Sequence, residues 1–265
     1  MIKRIAKVVA VFGAASIISG CITEQPSAGC IVQDSSFALW QAKYMVKEAD
    51  AAKTCGNLKG EELGVWKYAN PEATAEQIAA NRASRLAIRP RGTASLTRYT
   101  YKYTDAAGKE QTKTVDRVSR EEWDDATALS TTLPQSTDAE GFCKATGFAA
   151  ATVNAAAVFD HVDTSMERAA ATSVSYQFGD VEVYSHPSAP GTQLRGTMTY
   201  TQDGCTAEYE VWALWPATPC VPGSEDPVES CGAGSGLNPD FAAVCEPTLK
   251  RCVPAKRPPS FNVSL

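Results

Sequence analysis

The chain has 265 residues, 44% of them hydrophobic and 21% charged, with a formal net charge of −5. That length and apolar content suffice for one substantial core or two modest domains. The acid excess lacks the basic footprint that nucleic acid demands, so no nucleic-acid partner is expected.

The opening MIKRIAKVVAVFGAASIISG sets Lys3, Arg4 and Lys7 ahead of an apolar run from about Val8 to Ile18, followed by the small Ser19 and Gly20. Basic region, hydrophobic region and cleavage zone in that order make residues 1–20 a signal peptide. A bilayer-spanning helix needs roughly 20 apolar residues. This run is about half as long before the polar Thr23-Glu24-Gln25 begins.

Ile18-Ser19-Gly20-Cys21 resembles the lipobox of bacterial lipoproteins, in which Leu, a small residue and Gly or Ala precede Cys. Ile stands here for Leu, a mild exchange between branched aliphatics. The resemblance implies a diacylglycerol on the Cys21 thiol, cleavage after Gly20 and acylation of the new amino group. Residues 21–36 would then form a lipidated tether. Two or more acyl chains give stable anchoring where one is marginal. An ordinary signal peptide ending beside a cysteine is the competing reading. Ile22 occupies the place where many lipoproteins kept at the inner membrane carry Asp, so the resemblance implies an outer-membrane location in the cell envelope. Apart from this covalent lipid, no cofactor is expected.

From residue 37 the pattern turns β-rich. FALWQAKYMV and LGVWKY read as strands. Asn70-Pro71 supplies an N-cap and a first-turn proline, which predicts a helix along EATAEQIAANRASRLA. In SLTRYTYKYT, Tyr99, Tyr101 and Tyr103 share one strand face, with Arg98 and Lys102 on the other. Ser119 and Glu122 fit a capping box for a short helix through about Leu129. FAAATVNAAAVF is ambiguous between strand and helix.

In SVSYQFGDVEVY the apolar parity changes after Phe178, which predicts a bulge or tight turn at Gly179. Asp203-Gly204 is a two-residue hairpin turn, because a type I′ turn needs positive φ at both positions. That turn pairs Gln202 with Cys205, Tyr200 with Ala207, Met198 with Tyr209 and Gly196 with Val211. Thr199, Thr201, Thr206, Glu208, Glu210 and Trp212 fall on the opposite face. The expected fold is mainly β, an antiparallel sandwich or barrel over residues 37–218 with one or two short helices.

After Trp215 the chain becomes dense in Pro, Gly and Cys. Residues 219–254 read as a small cysteine-rich appendage held by disulfides, and residues 255–265 as a loose tail. Of nine cysteines, setting Cys21 aside leaves Cys30, Cys55, Cys143, Cys205, Cys220, Cys231, Cys245 and Cys252, an even number suited to an oxidising compartment. Sequence proximity suggests Cys30 with Cys55, Cys143 with Cys205, and the last four among themselves. No C-x-x-C occurs and only two histidines are present, so no metal site is expected.

The lipobox, the hairpin YTQDGCTAEYEVWALWPA and the end segment GSGLNPDFAAVCEPTLKRCV resemble exported lipoproteins of myxobacteria and related delta-proteobacteria. The resemblance implies a cell-surface setting and carries no activity.

Candidate chemistry is sparse. Asp160, His161 and Asp163 lie close in sequence, but neither a G-x-S-x-G nor an H-E-x-x-H motif accompanies them, and a polar turn is the simpler reading. Glu121, Glu122, Asp124 and Asp125 suit a helix start. No catalytic residue is assigned. Trp212, on the hairpin's polar face, is the candidate binding surface unless the cysteine-rich segment covers it. The expected role is non-enzymatic recognition, adhesion or structure, with an envelope protein or glycan as partner. An envelope hydrolase would bring carboxylates or His161 and His186 together in a cleft. A carrier of a small apolar ligand would show a lined cavity of several hundred cubic ångströms.

Overall fold

Turn chemistry and alternation agree at Asp203-Gly204, and the chain folds there as both dictate. In the computed structural model, which describes residues 29–80 and 83–262, Asp203 and Gly204 have φ of 48° and 85°. The flanking strands pair Gln202 with Cys205, Tyr200 with Ala207, Met198 with Tyr209 and Gly196 with Val211. Residues 1–20, expected as a signal peptide, and Cys21 lie outside the described residues.

In chain order the strands are β1 (Trp40–Val46), β2 (Gly60–Ala69), β3 (Ser84–Pro90), β4 (Arg98–Thr104), β5 (Glu110–Asp116), β6 (Ala128–Leu129), β7 (Phe142–Ala145), β8 (Ala151–Ala155), β9 (Val158–Phe159), β10 (Glu167–Ala169), β11 (Thr172–His186), β12 (Ala189–Gln202), β13 (Cys205–Leu214), β14 (Ala243–Glu246) and β15 (Arg251–Pro254). Two short helices, α1 (Ala75–Ala79) and α2 (Arg91–Leu96), follow β2 and β3.

The main sheet runs β6-β3-β2-β1-β13-β12-β11-β7, with β8 also on β11. Every pairing in it is antiparallel. Its two ends meet: Leu133 bridges Ser84, and Thr132 bridges Thr146 just beyond β7. The sheet therefore closes into a barrel, which removes its free edges. Inward positions of alternating strands fill the interior with Trp40, Tyr44, Leu63, Ile88, Phe178, Met198 and Tyr209.

β11 bulges where its parity changes. Phe178 faces Met198 and Val181 faces Gly196, so Gly179 and Asp180 together oppose Thr197. A Cβ on Gly179 would stand 2.2 Å from the Thr197 hydroxyl, a close approach that glycine permits.

Two helix expectations need correction. Asn70 caps only a turn, accepting the Glu72 N–H. The helix proper starts at Thr74, whose side chain and Gln77 form a capping box, and it ends at Ala79. Residues 84–90 are strand, because Leu86 and Ile88 alternate into the core. Ser119 and Glu122 do exchange capping bonds, but only one 3-10 turn, Glu121–Trp123, follows before β6.

The disulfides also differ from proximity. Cys30 pairs with Cys143 and Cys55 with Cys205, while Cys220 pairs with Cys245 and Cys231 with Cys252. Residues 29–33 run across the barrel wall to Gln135 and Gly191, away from Cys55, which packs beside the hairpin. Closing loops of 113 and 150 residues is worth about 5 kcal/mol each on the chain-entropy account.

The tail from residue 255 is docked, not loose. Ser260 and Phe261 are buried, Ser260 exchanges hydrogen bonds with the Gln193 side chain, and Phe261 packs edge-on against Phe241 and Tyr184. With Leu214, Leu237 and the four late cysteines these side chains form a second, smaller core on the barrel's outer wall. Residues 29–36, expected as tether, are also bound: Gln33 N–H donates to Gly191 and Ser35 N–H to Val65.

Candidate functional site

The hairpin's polar face continues across five strands. Cross-strand register sets Lys43 beside Trp212, Trp212 beside Arg195, Arg195 beside Glu182, and Glu182 beside Lys144. Each is an outward position, so the pleat alone builds a row of four charged groups with one aromatic ring among them. The Lys43 ammonium lies 5.7 Å from the Trp212 ring centre. The Arg195 guanidinium bonds Glu182, stacks 3.8 Å from the Phe142 ring centre and donates to the Pro258 carbonyl. Lys144 holds Asp180, whose hydrogen bond and charge push the lysine pKa up.

Beside this row lies a cleft of about 300 Å³, with Asp180, Glu182 and Glu210 facing Lys144, Arg195 and Arg257. Two of the carboxylates are paired; among the described residues Glu210 and Arg257 have no ion-pair partner. The cysteine-rich segment covers Leu214, whereas Trp212, two residues earlier, is only partly buried. The arrangement offers an aromatic face next to one available acceptor and one available donor group, which suits hydrogen-bonded recognition of a polar ligand.

The acid–histidine cluster is structural. Asp160 accepts the Val162 and Asp163 N–H groups and is bonded by Arg168. The backbone N–H of Val162 first, then Arg168, lowers its pKa to about 2. His161 packs edge-on against Tyr103 and contacts the Tyr101 hydroxyl. His186, at the end of β11, contacts Ser188. The two histidines thus sit on different elements with different partners. The sulfurs of Cys220, Cys231 and Cys252 lie within 4.8 Å of one another, all engaged in disulfides.

One chemical feature was missed by sequence reasoning. Glu61 shares inward parity with Leu63 and Val65, and its carboxylate lies inside the barrel, accepting from the Tyr44 hydroxyl at 3.0 Å and from the Gly92 N–H of α2. Burial, the largest influence, pushes its pKa up against those donors. Its parity was the available signal. The cluster lies under α2, and Glu61 also borders a surface cleft with Gln41, Glu62, Arg91 and Arg251.

The comparisons with known proteins agree with one another. A family model described as MlpA matches residues 38–216, spanning β1 to β13. The chain belongs to the MlpA family. It is 40% identical over 261 residues to a Myxococcus xanthus protein described as "Putative lipoprotein MlpA", covering 94% of each chain. No solved structure matches it. The region matched by the family model holds the closed barrel, the Glu61 cluster and the Trp212 row, and ends just before the cysteine-rich segment.

Proposed function

We propose that this protein is a lipid-anchored component of the cell envelope, held at the outer membrane through Cys21, whose barrel serves recognition or adhesion rather than catalysis. The observation that carries the anchor is Cys21 directly after Ile18-Ser19-Gly20 at the end of a short apolar run. The description of the Myxococcus xanthus relative as a lipoprotein supports it.

Trp212, with the adjoining Glu210 and Arg257, is the contact region for an envelope protein or glycan. Aromatic faces beside a few aligned polar groups are the usual composition of such sites. Interior positions taken up by Trp40, Met198 and Tyr209 favour an outer-wall contact over an enclosed apolar ligand.

The test is co-sedimentation of wild type and Trp212→Ala with purified cell-wall sacculi and outer-membrane fragments. Removing the aromatic anchor should weaken binding by roughly tenfold or more without changing thermal stability. Equal co-sedimentation of the two proteins would contradict the assignment.

A further inference from the structure

The strands alternate in direction, so the start of β1, the end of β2, the start of β3 and the end of β11 lie at one end of the barrel. The chain leading back towards Cys21 leaves at this same end. Cys30 is tied there to Cys143, and its carbonyl accepts from the Lys67 ammonium at 2.6 Å.

Four large apolar side chains stand exposed at this end. Phe37 is 88% exposed in the turn before β1, and Leu39 follows it at 39%. Tyr68 at the end of β2 is 49% exposed, and Ile78 on α1, in the β2–β3 connection, 57%. The opposite end carries α2, the β4–β5 hairpin and the β9–β10 arm, where Phe159 is 50%, Val162 69% and Met166 45% exposed, so the chain's exit towards Cys21 and not apolar exposure alone distinguishes the two ends.

We propose that the end bearing Phe37, Leu39, Tyr68 and Ile78 lies against the phospholipid bilayer that holds the Cys21 lipid, with these side chains entering the headgroup region. The inference rests on the lipid-anchor reading. Seven residues lie between Cys21 and Gly29, eight chain steps in all, and a fully extended chain spans at most about 3.6 Å per step. The exit point is therefore held within about 29 Å of the bilayer surface by that leash. Exposed aromatic and aliphatic groups at a membrane-facing surface partition into the interface, and Tyr is especially suited to it. The far end, with the β9–β10 arm, then points away from the membrane.

Phe37 and Phe159 are the same residue type at opposite ends and serve as each other's control in hydroxyl-radical footprinting. The sample is the lipidated full-length product in phosphatidylethanolamine and phosphatidylglycerol vesicles, floated before labelling. Exposure alone would make Phe37 label about twice as fast as Phe159. Docking predicts that the ratio inverts to below one, with Tyr68 and Ile78 protected as well. Protein that floats yet retains the ratio of about two would overturn the docking while leaving the anchor intact. Protein that fails to float would overturn the anchor and the docking with it. Protection that disappears as protein is diluted in lipid would assign the patch to a second copy of the chain and overturn the bilayer assignment.

Discussion

The Tyr44 hydroxyl donates to the Glu61 carboxylate at 3.0 Å inside the barrel, and the Gly92 N–H donates to the other carboxylate oxygen. Burial raises the Glu61 pKa above that of an unfolded chain. For a carboxyl raised in this way, the neutral form's contribution is complete below the unfolded value, about 4.3. It is lost as pH rises through the folded value. The Glu61→Gln difference in stability should therefore shift in favour of Gln between about pH 4 and pH 8. Urea unfolding of both proteins at the two pH values measures it. A pH-independent difference would show that Glu61 titrates normally.

Gly92 lets α2 close on this cluster. A Cβ there would meet the hydroxyl of the buried Tyr176 at 2.1 Å, and Tyr176 cannot swing aside within a filled core. Gly92→Ala should cost about 1–3 kcal/mol by overpacking, read from chemical denaturation. Unchanged stability would mean that α2 does not seat on the barrel.

Non-reducing peptide mapping should recover Cys30 linked to Cys143 and Cys55 linked to Cys205. Replacing Cys30 and Cys143 together by Ala should lower stability by up to about 5 kcal/mol. Recovery of a Cys30–Cys55 peptide would contradict the path of residues 29–36.

Phe261 closes the second core. Phe261→Ala removes a buried ring from between Phe241 and Tyr184, a loss of about 3–5 kcal/mol at a core site. The docked tail should become cleavable by trypsin after Lys256 while the barrel remains intact. Equal resistance of variant and wild type would show that Phe261 does not hold the tail.

Where two independent local signals coincided, the sequence was legible. Asp203-Gly204 and the flanking alternation both demanded one register, and the parity change at Gly179 announced its bulge. Residues 84–90 were obscured because the preceding Ala-rich stretch favours helix, while tertiary pairing with β2 makes the segment strand. Disulfide partners were illegible because contact across the barrel depends on the route of residues 29–36, which proximity ignores. Trp212 was placed on its face by alternation. The cleft beside its row required β11, β7 and Arg257 from the tail, which only the closed fold assembles.

The central claim is the lipid on Cys21, and intact mass spectrometry of membrane-extracted protein beside a Cys21→Ala variant tests it most directly. The wild-type mass should correspond to loss of residues 1–20 and gain of acyl chains, with the variant unlipidated. Wild-type protein recovered soluble and without lipid would contradict it.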